Sequence, residues 1–184
     1  MGNSIRIEQL EKLYTEIPKF RKLLNYDKLI AKLQTQENGI ISLVNDLDWN
    51  LPEEQRKKAA QAIINSVDMD DYDLLIIAGN KCTWSNSVLL LKEIGYPKNK
   101  KALPSLILLL QDLNWPGAVE GIEVLRQADK RAVIPLLEVA IEEGYSSCDY
   151  IWLAGIKTFL EFTLISKDDF SRKETYDLLE YAEW

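Results

Sequence analysis

The sequence predicts an all-α protein built as a short right-handed solenoid, in which about five pairs of helices stack one after another. Apolar residues recur at the three- and four-residue spacing of an amphipathic helix through most of the chain. No segment combines sustained apolar–polar alternation with a hairpin dipeptide, so no strands are predicted. The third observation is an internal period of 66 residues, a length that fits two helix pairs of a repeat protein.

Prolines and glycines mark the limits of the individual helices. Pro18, Pro52 and Pro116 are favourable residues for a first helical turn, whereas Gly39 and Gly79 are favourable stops. We predict about eleven helices of roughly 9 to 20 residues, and more than about 60% helix in total. The predicted segments are residues 5–14, 18–37, 40–49, 52–67, 69–79, 85–95, 98–113, 116–128, 130–144, 149–164 and 171–184.

These helices are predicted to form one domain, because a chain of 184 residues is long enough to bury a single core. Residues 1–39 would supply N-terminal capping helices, and residues 40–105 a first four-helix unit. Residues 106–184 would form the second four-helix unit with a C-terminal cap. Within that cap, Ser171 and Glu174 have the spacing of a capping box.

The 66-residue period is carried by a short motif, DLDW at residues 46–49 and DLNW at residues 112–115. Shifting the chain by 66 gives ten identities over residues 41–82. Recurrence at one place in a repeat is what packing requires. We therefore predict that Trp49 and Trp115 are buried at equivalent turns, and a ligand-binding role for Asp112 and Trp115 is the alternative.

The same shift aligns Cys82 with Cys148. Neighbouring helix layers stack about 8–10 Å apart, so residues two pairs apart would lie roughly 20 Å from each other. A disulfide needs Cα atoms within about 7 Å. Both cysteines are therefore expected to be free thiols.

The charge of the chain is acidic and uneven. The net charge is −7, and residues 93–184 hold 10 Lys and Arg against 16 Asp and Glu, a net of −6. An acidic surface repels phosphate backbones, which disfavours nucleic acid and favours a basic protein partner. The chain contains no histidine, which excludes histidine triads and imidazole zinc sites. We predict no cofactor and no metal.

A cytoplasmic location is expected. The longest apolar runs, SVLLL and SLILLL, fall far short of the roughly 20 residues of a membrane span. The first residues, MGNSIRIEQLEKLY, place charges at helical spacing and lack the apolar core of a signal peptide.

Two acidic stretches supply the candidate partner-binding residues. In residues 142–152, EEGYSSCDYIW, carboxylates stand beside aromatic side chains. The run at 68–73 is rich in aspartate but lacks the pattern of a calcium loop. Carboxylate acid–base catalysis in 142–149 is an alternative, although no sequence feature fixes the separation it needs. We predict partner contacts by Glu142, Glu143, Tyr145, Asp149, Tyr150, Asp70 and Asp71.

The segment LILLLQDLNWPGAVEGIEVLRQADKRAVIPLLEVA, residues 106–140, resembles HEAT-type repeats. Residues 103–164 are similar to a family of small bacterial proteins with the signature L-x-D-x-N-W-P before a second helix. The upstream copy departs from it, having Asn50 and Leu51 between Trp49 and Pro52. The resemblance implies an all-α repeat fold without known catalytic residues. It also implies kinship with immunity proteins that neutralise secreted bacterial toxins.

Two functions follow as expectations. The favoured one is a non-catalytic protein-binding module, in its most concrete form a bacterial immunity protein that holds a basic toxin domain through an acidic surface. The alternative is a HEAT-like enzyme of the DNA glycosylase kind, for which Lys98, Lys100 and Lys101 could contact phosphate. The placement of Lys and Arg distinguishes the two functions, because a DNA-acting enzyme needs these residues gathered in a groove.

Overall fold

A computed structural model describes residues 17–24, 27, 28, 30, 31 and 39–184, and 72% of these residues are helical. The described residues include no strand. The prediction of an all-α protein is confirmed. The helix predicted for residues 5–14 lies outside the described residues.

Ten α-helices and four 3₁₀ helices are described. The α-helices are α1 Pro18–Leu23, α2 Gly39–Asn45, α3 Glu53–Ser66, α4 Leu74–Ile77, α5 Lys81–Ile94, α6 Leu103–Leu109, α7 Ala118–Arg126, α8 Lys130–Ser146, α9 Tyr150–Glu161 and α10 Lys173–Asp177. The 3₁₀ helices are Met69–Asp71, Lys98–Ala102, Lys167–Asp169 and Leu178–Tyr181.

Several helices differ from the predicted segments at their ends. Gly39 is the first residue of α2, although it was predicted as a stop. The predicted helix over residues 69–79 splits, because the Asp68 carboxylate accepts a hydrogen bond from the Asp70 amide and starts a separate 3₁₀ turn. Four residues of α4 then follow, and all of them are buried. Burial, rather than length, makes this short helix part of the core.

Helices adjacent in sequence pack as pairs: α2 with α3, α4 with α5, α6 with α7 and α8 with α9. The first helices of successive pairs also contact one another, α2 with α4, α4 with α6 and α6 with α8. Helix α1 departs from this order by packing on α8, more than 100 residues downstream. Contacts therefore follow chain order except at the N-terminal side.

Helix α6 forms the centre of the core, and every residue from Leu103 to Leu109 is buried. Helix α9 lies close against its end. The Trp152 indole N–H donates to the Ile107 carbonyl at 3.1 Å. At Gly155, an added Cβ would stand 1.9 Å from the Leu110 carbonyl oxygen. Only glycine fits there without moving one of the two helices.

The turns after α2 and α6 are built alike, but their register is not the one predicted. Asp48 Oδ1 accepts from the backbone and side-chain N–H groups of Asn50, at 2.8 and 2.9 Å. Asp112 Oδ1 does the same for Asn114, at 2.9 and 3.0 Å. The structural offset is 64 residues (112 − 48), which also relates the bounds of α2 to those of α6. The repeated turn is Asp-x-Asn-x-Pro.

This register corrects the prediction for the two tryptophans. At an offset of 64, Trp49 corresponds to Leu113 and Trp115 corresponds to Leu51. Trp49 is 43% exposed, so its predicted burial is wrong. Trp115 is partly buried and packs against the core. Both cysteines are free thiols, as predicted.

Glutamates of α8 hold distant parts of the chain. Glu143 is only 3% exposed, and its Oε2 accepts from the backbone N–H groups of Lys19 at 2.9 Å and Phe20 at 3.3 Å. The Phe20 ring meets Trp152 edge-on at 5.2 Å. The carboxylate therefore satisfies amides in the first turn of α1, where the helix leaves its N–H groups without partners.

The C-terminal segment is held in the same way. Glu138 Oε1 accepts from the Ser171 amide at 2.7 Å and hydroxyl at 2.6 Å, and from the Arg172 amide at 3.3 Å. Glu142 Oε1 pairs with Arg172 Nη2 at 2.5 Å and accepts from the Thr175 hydroxyl at 3.2 Å. The predicted capping box of Ser171 and Glu174 is wrong, because α10 begins one residue later with Arg172 at its N-cap. The Ser171 hydroxyl donates to Glu138 instead.

Substitution of Gly155 tests the contact between α6 and α9. Gly155→Ala should destabilise the protein by about 2–4 kcal/mol, because the new methyl group overlaps the Leu110 carbonyl. Gly121→Ala is the matched control, since its Cβ would meet only Leu106 Cδ2 at 3.6 Å. Within α7 it should stabilise by about 0.5–1 kcal/mol. Urea unfolding measures both; equal effects would contradict the packing described.

The Glu138 carboxylate predicts an acid-sensitive contact. Burial raises its pKa, but the Ser171 hydroxyl and the Ser171 and Arg172 amides lower the pKa further, so that it falls below its ordinary value. A lowered folded-state pKa means stability that is complete above the ordinary value and lost as the pH falls through the lowered one.

Glu138→Gln should therefore cost about 1–3 kcal/mol at neutral pH, with the difference from the parent shrinking on acidification below about pH 4.3. Urea unfolding at neutral and acidic pH measures this. Glu93→Gln, at an exposed position, serves as the control. If the cost of Glu138→Gln did not change with pH, the charge of the Glu138 carboxylate would make no contribution to stability.

Candidate functional site

Two turns that are far apart in sequence meet around one groove. The turn after α6 contains the DLNW motif, and the turn between α8 and α9 contains residues 147–149. They enclose a cavity of about 430 Å³. Its lining residues are Ile17, Gln111, Asp112, Trp115, Ser147, Cys148, Asp149 and Ile151. We call this the turn groove.

The first wall of the turn groove is fixed by hydrogen bonds within the DLNW turn. Besides the Asp112–Asn114 bonds, the Trp115 amide donates to the Asp112 carbonyl at 2.9 Å. Gly117 follows with φ of +84°, in the left-handed region that glycine adopts without strain. An added Cβ there would stand 3.1 Å from the Trp84 carbonyl. The Asp112 carboxylate and the Trp115 ring are therefore rigidly placed.

The Trp115 ring already contacts a cation. The Lys81 ammonium lies 5.0 Å from its centroid, within the range of a cation–π interaction. The Trp84 ring packs at 5.3 Å with an interplanar angle of 43°. This environment shows that the ring tolerates positive charge at its face.

The second wall is the N-terminus of α9. Asp149 is the N-cap, and its Oδ1 accepts from the Trp152 amide at 3.0 Å. Cys148 precedes it with φ of +57°, a conformation that non-glycine residues seldom adopt. The Asp149 amide donates to the Gly144 carbonyl at 2.8 Å. These bonds set the position of the second carboxylate of the turn groove.

Beside this wall lies a tyrosine cluster made of Tyr145, Tyr150 and Tyr181. The Tyr145 and Tyr181 ring centroids are 4.9 Å apart, and those of Tyr150 and Tyr181 are 6.3 Å apart. Tyr145 is 37% exposed and Tyr181 50% exposed. The Glu183 amide donates to the Tyr150 carbonyl at 3.3 Å, which keeps the C-terminal segment against α9.

Two hydroxyl groups of the cluster, those of Tyr145 and Tyr150, have pKa values raised above the ordinary value of tyrosine. The neighbouring Tyr181, through its charge and then its hydrogen bond, raises the pKa of Tyr145. A hydrogen bond with the Cys148 thiol raises the pKa of Tyr150. At neutral pH these phenols can therefore both donate and accept hydrogen bonds.

The structure brings together only part of the predicted partner-binding set. Asp149 lines the turn groove, and Tyr145 and Tyr150 lie in the adjacent cluster. Glu143 is buried against α1 and its carboxylate accepts from the Lys19 amide, so it lies apart from the groove surface, and its contact with a partner stays a prediction. Glu142 is partly buried and paired with Arg172.

Asp70 and Asp71 are not among the residues that line the turn groove. Asp70 lies 3.4 Å from Lys101 Nζ, and Asp71 lies 2.5 Å from Lys28 Nζ. These ion pairs neutralise much of the negative charge that was predicted to face a partner. Exposed acids alone therefore do not define the site.

Sequence analysis missed Tyr181 and the wall residues Ile17 and Ile151. Tyr181 lies 36 positions after Tyr145 (181 − 145), and no local pattern links the two. Asp112 and Trp115 were recognised in the sequence, and a ligand role was the alternative to a packing role. Their position in the turn groove gives that alternative a geometric basis.

A larger cavity of about 550 Å³ lies between the α7–α8 region and the segment after α9. Apolar side chains such as Phe162 and Leu164 dominate its lining, which also includes Arg126 and Lys130, and Lys130 is paired with Asp169. None of Lys98, Lys100 and Lys101 lines either cavity. The turn groove differs in having two carboxylates and an indole ring in its lining.

Comparison with known proteins adds no identity. No family model, no curated protein and no solved structure matches this chain. Within the described residues, no helix has the length and apolar character needed to cross a membrane. In the same part of the chain, no three Cys, Asp or Glu residues are grouped so that they could hold a metal ion.

The two tryptophans of the repeated motif should respond differently to truncation. Trp115→Ala should cost about 1–3 kcal/mol, because the ring is partly buried and packs on Trp84. Trp49→Ala should cost less than about 1 kcal/mol, since its ring is largely exposed. Thermal and urea unfolding provide the comparison. A larger cost at Trp49 would contradict the exposed position of its ring.

Proposed function

We propose that this protein is a non-catalytic protein-binding module whose contact surface comprises the tyrosine cluster and the turn groove. The observation that carries the proposal is the cluster of exposed Tyr145 and Tyr181 with partly buried Tyr150. Tyr150 follows Cys148 and Asp149 of the turn groove in the chain. Tyrosine and tryptophan are enriched among the residues that dominate interface energies. Their rings add large contact area while the hydroxyl groups add directional hydrogen bonds.

The distribution of charge supports a modified form of the acidic-surface expectation. Glu138 and Glu143 serve internal hydrogen bonds, and Glu142 is paired. Asp112 and Asp149 line the turn groove, and Glu183 lies beside Tyr150. A basic partner would therefore be recognised through aromatic anchors and a few positioned carboxylates, not through a broad acidic field. Such charges chiefly affect association rate and specificity.

We propose the arrangement of the helices as a short right-handed HEAT-like solenoid. The contacts between paired helices, and those from α2 to α4, α4 to α6 and α6 to α8, support it. Helix α1, packed on α8, would then act as a cap that limits the array. The turns that follow the first helix of each pair would share one end of the molecule, where the turn groove lies.

The most concrete form of the proposal is an immunity protein that keeps a basic toxin domain inactive. It is supported by the resemblance of residues 103–164 to a family related to such proteins and by the carboxylates of the turn groove. Binding of this kind needs shape and charge complementarity and no chemical step. The absence of histidine from the chain agrees with a binding role.

Partner capture followed by binding kinetics tests this function. Protein captured from the source organism would be identified by mass spectrometry and then measured with purified components. The double substitution of Tyr145 and Tyr181 by Ala should speed dissociation at least about tenfold, because truncating interface anchors acts mainly on dissociation. Phe162→Ala removes an exposed aromatic outside this surface and should leave the rate unchanged.

The helicity of both variants should equal that of the parent by circular dichroism. Capture of nucleic acid instead of protein would overturn the proposal. So would a partner that dissociates from the double variant and the parent at the same rate. The second result would place the interface elsewhere on the molecule.

A further inference from the structure

The larger cavity, about 550 Å³ in volume, is bordered by two apolar side chains that the fold leaves in water. Phe162 is 56% exposed and Leu164 is 98% exposed. Leu125 of α7 and Val133 of α8 line the same cavity and are buried. A single exposed leucine is ordinary, but exposed apolar side chains beside an apolar cavity form the kind of patch that marks an interaction surface.

Two oppositely charged side chains in the lining of the larger cavity are available to a partner. Arg126 is the last residue of α7 and Glu161 is the last residue of α9, and both are exposed. Within the described ranges, neither side chain forms an ion pair. Glu123 stands one turn before Arg126, but Lys92 binds its carboxylate. The hydrogen bond from Lys92 lowers the pKa of Glu123, and the charge of Arg126 has a smaller effect in the same direction.

The charge of this patch is balanced, in a chain whose net charge is −7. Arg126 and Glu161 cancel each other, and Lys130 in the same lining is paired with Asp169. Two molecules with the same net charge repel each other, and the repulsion is smallest where the local charge is zero. The larger cavity is therefore a place where two copies of this chain can approach.

We infer that the larger cavity is the interface of a homodimer with two-fold symmetry, in which Leu164 of each copy enters the cavity of the other. In a two-fold interface one patch meets itself, so every contact from residue i to residue j is repeated from j to i. The patch must then be complementary to itself. Here an exposed leucine stands beside an apolar hollow, and Arg126 of each copy pairs with Glu161 of the other.

Arg126 and Glu161 together select a second copy over other occupants of the cavity. An anionic ligand would gain from Arg126 but would meet the Glu161 carboxylate, and a cationic ligand would meet the reverse. An uncharged apolar ligand would remove water from both charges without replacing it. A second copy pairs each charge with its opposite and covers Phe162 and Leu164 in the same contact.

This interface lies away from the proposed partner-binding surface. Lys130, in the lining of the larger cavity, is the first residue of α8, and Tyr145 of the tyrosine cluster follows 15 positions later (145 − 130) in the same helix. At the rise of an α-helix the two positions are about 22 Å apart. The dimer therefore keeps both tyrosine clusters exposed and presents two copies of that surface.

Sedimentation velocity of the full chain over a range of concentrations tests the dimer. The apparent mass should rise from 21.2 kDa toward twice that value at concentrations up to about 0.5 mM. Leu164→Ser should raise the dimer Kd at least about tenfold, because it removes the apolar group that enters the other copy. Val119→Ser is the matched control, since Val119 is 59% exposed and lies outside the lining of the cavity.

The thermal midpoint of dilute Leu164→Ser should equal that of the parent, because the side chain it shortens is 98% exposed in the single copy. A parent that sediments as a monomer at every concentration would overturn the inference. So would a dimer whose Kd is the same in the parent, Leu164→Ser and Val119→Ser.

Exchange of the two charges tests the two-fold geometry. Arg126→Glu and Glu161→Arg each place like charges across the interface, so each variant alone should sediment as a monomer. Mixed in equal amounts they should form a heterodimer, because every charge then meets its opposite. Lys58→Glu and Glu54→Arg make the same changes of charge at exposed positions of α3 and should dimerise like the parent.

Recovery on mixing also shows that the single variants are folded. A mixture of Arg126→Glu and Glu161→Arg that associates no more than either variant alone would overturn the inference. The inference is independent of the proposed function, and the two can fail separately. A monomer that binds a protein partner through Tyr145 and Tyr181 would overturn the dimer alone, whereas a dimer that captures nucleic acid would overturn the proposed function alone.

Discussion

The buried carboxylate of Glu143 is the constraint on which much of the structure depends. A polar group inside a protein is tolerated only where hydrogen bonds replace its water. Here the replacement comes from two amides in the first turn of α1, a helix far away in sequence. Docking α1 also covers Trp152 with Phe20. One polar interaction thus fixes the position of α1 against α8, and Phe20 of α1 covers Trp152 of α9.

Helix α8 gathers the remaining long-range contacts. It packs on α1, α6, α9 and α10. Its residues Glu138 and Glu142 contact Ser171 and Arg172, which precede Tyr181 in the C-terminal segment. The tyrosine cluster exists because this segment returns to the end of α8. The proposed binding surface is therefore a product of internal carboxylate contacts. Substitutions of Glu138 or Glu143 would be expected to disturb it indirectly, without either residue contacting a partner.

Residues that stabilise the turn after α6 also line the turn groove. In the turn after α6, Asp112 serves the backbone through one oxygen and faces the groove. Trp115 packs on the core and lines the same groove. The packing role and the ligand role considered for this motif are compatible, because a tightly bonded turn is what gives a carboxylate and a ring fixed positions. Rigid placement of this kind is what a recognition site needs.

The sequence by itself determined the all-α class, the pairing of adjacent helices and the free thiols. Helical periodicity reports contacts between residues three and four apart, which are visible without a structure. The repeat was predicted in the wrong register, because matching the letters DLxW aligned Trp49 with Trp115. The hydrogen bonds of Asp48 and Asp112 instead define an offset of 64.

Only the tertiary structure decided which polar residues are available to a partner. Glu142 and Glu143 are adjacent and chemically alike in the sequence, yet one pairs with Arg172 and the other is buried against α1. Tyr181 joins Tyr145, and residues 112 and 149 meet in one groove, through contacts spanning tens of residues. Such contacts depend on the path of the whole chain, and no local pattern records that path.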